Sequence, residues 1–149
     1  MRRLVFDHPW IDQSRAPVYA MRLPADRTHT RLRAMCQHIT ETYRAVSEPE
    51  PFGWLNVTDY SRGSDAVGRQ IMADHLRDVD AYLLEHSVGV AAVVESAVAR
   101  AVVSAVLWLR GKKGFRIELV KSETEGVALM QARLAELHRR RKHVSGSAA

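Results

Sequence analysis

Strands alternating with amphipathic helices predict an α/β fold, a single-layer, mostly parallel five-stranded sheet covered by four helices. Three observations carry this. Residues 88–94 run without a polar side chain, as in a strand buried on both faces of a parallel sheet. Residues 26–46 and 65–86 instead place apolar side chains at helical spacing. Between successive strand-like segments there is always a helix-like one, which implies right-handed crossovers between parallel strands.

In order, Leu4-Val5-Phe6 reads as a short first strand, residues 8–17 as a turn, and residues 18–23 as a second strand pairing back antiparallel on the first. Asp26 is the expected N-cap of a helix whose inner stripe is Leu32, Met35, Cys36, Ile39, Tyr43 and Val46. Arg31, Arg33, Gln37, Glu41 and Arg44 are left outward, and Pro49 and Pro51 forbid continuation. Residues 52–60, aromatic and β-branched, form the third strand. Ser64-Asp65 then cap a helix whose stripe is Val67, Ile71, Met72, Leu76, Val79 and Leu83. After the buried strand, Ser96 caps a helix that ends at Arg110, with Gly111 as its C-terminal glycine. Phe115, Ile117 and Leu119 alternate with charged residues, as in a half-exposed strand near a sheet edge. Ser122-Glu123-Thr124-Glu125 has capping-box spacing and opens a last helix with Val127, Met130, Leu134 and Leu137 inward. The order is ββαβαβαβα. One domain is expected over residues 1–138, followed by a basic, disordered tail over residues 139–149.

The chain has 149 residues and a net charge of +5. Its thirds differ: residues 1–50 carry 8 basic and 6 acidic side chains, residues 51–100 carry 4 and 7, and residues 101–149 carry 10 and 4. Arg139, Arg140, Arg141 and Lys142 supply much of the excess, so the basic character belongs mainly to the tail. Such a tail binds nucleic acid weakly and without sequence preference, or is simply a solvated helix end. Met1-Arg2-Arg3 leads only to Leu4-Val5-Phe6 before Asp7, which argues against a secretory signal. The uncharged run of residues 101–109 is too short for a membrane span. A soluble, cytoplasmic protein is the expectation.

Gly89-Val90-Ala91-Ala92-Val93-Val94-Glu95-Ser96, then Arg100, then Val106-Leu107-Trp108-Leu109-Arg110 and Phe115-Arg116-Ile117 resemble the STAS-like domains, whose best-known members are bacterial anti-sigma-factor antagonists. More narrowly they resemble a branch related to SpoIIAA-like and SEC14-like domains, over about residues 4–137. The resemblance implies a non-catalytic protein-interaction or regulatory module; some relatives bind nucleotides or lipids. It also implies a phosphorylatable serine after an Asp-Ser-X-Gly turn. The corresponding stretch here is Asp59-Tyr60-Ser61-Arg62-Gly63-Ser64, with Tyr60 where the aspartate belongs. Ser61 and Ser64 are therefore candidates for a phospho-switch, and equally suit a turn and a helix cap.

Catalytic chemistries lack their residues. Gly63 and Gly68 have P-loop spacing, but Arg69 and Gln70 follow where lysine and a hydroxyl are required. A Gly-X-Ser-X-Gly elbow is absent, and Cys36 lies on an apolar stripe. Cys36 and His38 point to different helix faces, and Asp74, His75 and Asp78 read as a solvated acidic surface. No enzyme activity, metal or cofactor is expected.

The expected working surface is the helix 97–110. Val98, Ala101, Val102, Ala105 and Leu109 share the face assigned to the sheet. Arg100, Ser104 and Arg110 fall opposite, with Val103 and Leu107 among them and Trp108 on the flank. Val103, Leu107, Trp108, Arg100 and Arg110 thus form the expected homodimer interface. The alternatives are a pocket for a small ligand or lipid at the carboxyl ends of the strands, and weak nucleic-acid binding through the tail.

Overall fold

The computed structural model describes residues 1–147. Its elements are β1 (Ile11–Arg15), β2 (Val18–Met21), α1 (His29–Ala45), β3 (Phe52–Asn56), α2 (Ala66–His86), β4 (Ser87–Val93), α3 (Ala97–Arg110), β5 (Ile117–Val120) and α4 (Glu123–Ser147). The strands lie in chain order in one five-stranded sheet; β1 pairs antiparallel with β2 and the remaining pairs are parallel. The expected fold class is the observed one, with β5 at a sheet edge.

A monotonic strand order with crossovers of one hand puts α1, α2 and α3 on one face, leaving the other to α4. The strands alternate accordingly. Tyr19, Met21, Trp54 and Val90 pack with side chains of α1 and α2. Their neighbours Val18, Ala20, Leu55, Ala91 and Val93 pack with Val127, Met130 and Leu134 of α4. Gly53 is what lets α4 approach so closely, because a Cβ there would sit 2.7 Å from the Met130 Cβ. The two faces are thus covered unequally, by three helices and by one.

The first strand is not where the sequence placed it. Leu4 and Phe6 are buried and Val5 is exposed, so the apolar alternation is real, but this strap joins no strand ladder. Its backbone is satisfied by side chains instead. Tyr19 Oη donates to Leu4 O at 2.6 Å, while the Gln13 amide accepts from Phe6 N at 2.8 Å and donates to Phe6 O at 2.6 Å. The segment read as a turn holds β1, which reverses into β2 through Ala16-Pro17, so that Arg15 stands opposite Val18. Helix α1 begins after Thr28, whose Oγ1 accepts from Arg31 N at 3.2 Å; the expected cap, Asp26, lies outside it. Strand β3 stops at Asn56, short of Tyr60. At the other end of the chain, α4 continues through Arg139, Arg140, Arg141 and Lys142 to Ser147, where the sequence suggested disorder. Ala148 and Ala149 lie outside the described residues.

Candidate functional site

Helix α3 has the ends the sequence predicts. Ser96 Oγ accepts from Ala99 N at 3.1 Å, and Gly111, at φ 91°, donates its N–H to Leu107 O and Trp108 O, both at 3.2 Å. Its rotation is different. The buried residues are Ala99, Val102, Val103 and Val106, one position along from the expected stripe, which is a turn of about 100°. Either register leaves Arg100 and Ser104 in water; the observed one buries Ala99, Val103 and Val106 and turns Val98 and Ala101 outward.

The expected interface residues therefore separate. Val103, 6% exposed, packs with Tyr60, Ala92, Val94, Ala99 and Val102, and Leu107 lies half-buried against the same group. These two belong to the interior. Arg110 is a structural residue: its Nη1 donates to Phe115 O at 2.8 Å and its guanidinium lies 4.9 Å from the Phe115 ring centre. Arg100 is exposed, and Trp108 is 81% exposed. The outward face consists of Ala97, Ala101, Ser104 and Trp108 in one line along the helix, with Val98, 49% exposed, beside it.

Beneath α3 lies a cavity of about 40 Å³, bounded by Trp54, Asn56, Tyr60, His75, Val103 and Leu107 among others. This holds one or two waters; ligand pockets run to about 300–1,000 Å³. His75 is its notable member. Its Nδ1 is buried without a hydrogen-bond partner, and burial lowers its pKa to about 4. The ring is therefore neutral near pH 7, with no carboxylate to orient it as a base.

The serine loop is occupied by carboxylates. Asp59 Oδ1 accepts from Ser61 N at 2.8 Å and Asp65 Oδ1 accepts from Gly68 N at 2.7 Å, which holds both carboxyls below the usual range. Asp65, not Ser64, caps α2. Ser61 is exposed, but these two carboxylates already use the amides that would attract a phosphate. Arg62, Gly63 and Ser64 line a polar cleft of about 210 Å³ with Arg27, Thr28 and His29.

A groove of about 640 Å³ was missed from the sequence. It runs between Pro49, Pro51, Ser87 and Val88 on one side and Leu137 and Arg141 on the other. Its only sequence trace is Leu137, an apolar residue at the point where α4 turns basic. Beyond it residues 138–147 are all exposed, and Glu136 pairs with Arg139 at 2.6 Å and Arg140 at 3.0 Å.

Among the described residues, no group of three or more His, Cys, Asp or Glu could hold a metal ion, and no helix is long and apolar enough to cross a membrane. No protein-family model, curated protein or solved structure matches the chain.

Proposed function

We propose that the protein is a non-catalytic interaction module of the STAS-like type, acting in the cytoplasm and self-associating through the outward face of α3. One observation carries this reading: the line Ala97, Ala101, Ser104 and Trp108 leaves a helix face of mostly small side chains, with Arg100 beside it and ending in a tryptophan that is 81% exposed, uncovered by the rest of the described chain. An uncovered apolar face on a helix marks a contact surface. Small side chains at the first three positions allow a second helix to approach closely. Trp108 supplies a large aromatic anchor of the type that contributes most when a partner buries it at the centre of a contact, away from water. Of the residues the sequence proposed for an interface, Trp108 stands on this line and Arg100 beside it, while Val103 and Leu107 pack beneath it.

Light scattering tests this. Wild-type protein at high micromolar concentration is expected to have twice the chain mass. Ala101→Arg, which thrusts a long charged side chain into the contact, is expected to give a folded protein of single-chain mass, with folding checked by circular dichroism. A wild-type monomer, or an unchanged mass in Ala101→Arg, overturns self-association through α3.

A ligand-binding role for the interior is less well supported, because the cavity beneath α3 is smaller than any such pocket.

A further inference from the structure

The topology gathers positive charge at one end of the molecule, the end at which β3, β4 and β5 begin. Residues 111–116, the connection into β5, bring Lys112, Lys113 and Arg116 there, all exposed. Helix α4 starts beyond the opposite end of β5 and runs back beneath the sheet, where Arg133 Nη1 donates to Val88 O at 3.3 Å near the start of β4. It then leaves the sheet, so that Arg139 to Lys142 project from this same end on a helix exposed all round. Glu136 engages Arg139 and Arg140. Lys112, Lys113, Arg116, Arg141 and Lys142 have no ion-pair partner among the described residues. Against these five stand two exposed carboxylates, Glu48 and Glu85, of which Glu85 lies 3.6 Å from His86.

Apolar side chains project from the same end. Leu84, in the last turn of α2, is 60% exposed, and Val144, on the projecting part of α4, is 68% exposed. Cations alone would suit any polyanion. A phosphodiester backbone, however, gains nothing from an exposed leucine or valine, whereas a lipid headgroup layer takes up both.

We infer that this end of the molecule docks on the surface of an anionic phospholipid bilayer, with Lys112, Lys113, Arg141 and Lys142 drawn to the headgroups and Leu84 and Val144 entering between them. The contact is peripheral, requires no spanning segment, and does not rest on self-association through α3.

Vesicle co-sedimentation tests it, with phosphatidylcholine vesicles compared against phosphatidylcholine mixed with phosphatidylglycerol. Wild-type protein is expected to bind the mixed vesicles and not the neutral ones. Neutralising two cations in Lys112→Gln/Lys113→Gln is expected to weaken binding by about 25-fold, each cation contributing about five-fold. The pair Leu84→Ser/Val144→Ser is expected to weaken vesicle binding several-fold while leaving retention on duplex DNA unchanged. Both variants should keep the wild-type circular dichroism and solution mass, which separates this contact from the α3 interface. Failure of the wild type to bind the mixed vesicles, equal binding to neutral vesicles, or binding indifferent to both variant pairs overturns the inference. So does tighter binding to DNA than to vesicles, which would make these cations a nucleic-acid surface.

Discussion

Helices α1 and α3 pack on the same face of the sheet with α2 between them, yet they meet water differently. The outer face of α1 is written in charge: Arg31, Arg33, Gln37, Glu41 and Arg44 are all exposed, opposite the buried Leu32, Met35, Ile39 and Tyr43. The outer face of α3 has Arg100 and Ser104 as its polar marks and is otherwise alanine, valine and tryptophan. A solvated face resists partners because desolvating its charges is costly. A face of small apolar side chains has little to lose from being covered. The contrast teaches that, on this sheet, the helix with fewer charges on its outer face is the one available for contact.

The sharpest way to break that comparison is to place one charge on each side of α3. Val103→Asp puts an unpaired carboxylate into the group formed by Tyr60, Ala92, Val94 and Val102. A loss of about 4 kcal/mol or more is expected, a large part of the about 5–15 kcal/mol that holds a domain together. Ala101→Asp lies on the exposed side and is expected to cost under about 1 kcal/mol. Urea denaturation at a concentration where the wild type is monomeric reads both. The reverse ranking would restore the register with Ala101 inward and Val103 outward, and would remove the α3 interface with it.

The second effect belongs to His75, on the helix between the two. Its folded pKa is lowered to about 4 by burial, against an ordinary value of 6.5. Between these values the unfolded chain binds a proton that the folded chain refuses. Stability from this group is therefore complete above about pH 6.5, falls as the pH drops through the window, and is lost below about pH 4. The total is about 3 kcal/mol. Replacing the ring in His75→Leu is expected to flatten that part of the stability profile. A variant with the wild-type slope between pH 6.5 and 4 would show that the ring is open to water.

Legibility followed the same contrast. The inner face of α1 was plain because charged side chains alternate with its apolar stripe, while that of α3 was ambiguous because two stripes one residue apart were both apolar. Side-chain volume does not choose between them, because the valines gained at Val103 and Val106 are offset by Val98 turning outward. The strap at Leu4 and Phe6 has strand-like alternation, but what distinguishes it from a strand is the Gln13 amide taking the place of a neighbouring strand, which no local pattern announces. The groove between Pro49, Val88 and Leu137 joins three segments remote in the chain, and its single trace, Leu137, does not announce it. The mixed sheet, parallel after an antiparallel first pair, by contrast followed from the alternation of elements.

Helix ends show the reverse of helix faces. For α3 the sequence marks both termini, Ser96 and Gly111; for α1 it points to Asp26, whereas the structure uses Thr28. Both are residues that cap well, and Asp is favoured near the positive end of a helix. Position decides. Thr28 has extended backbone at φ −93° and ψ 159°, and its Oγ1 lies 3.2 Å from Arg31 N, three residues ahead, which is where a capping side chain must reach. Asp26 lies two residues too early, beside Arg27, whose guanidinium is already committed to the carbonyls of Pro24 and Asp59, each at 2.9 Å. Thr28→Ala is therefore expected to cost about 1 kcal/mol, and Asp26→Ala to stay within about 0.5 kcal/mol of the wild type. The two midpoints in urea, compared at constant m-value, separate these outcomes. An equal loss from both would mean that Asp26 supports the start of α1 through its charge, and that the threonine hydroxyl is replaceable by water.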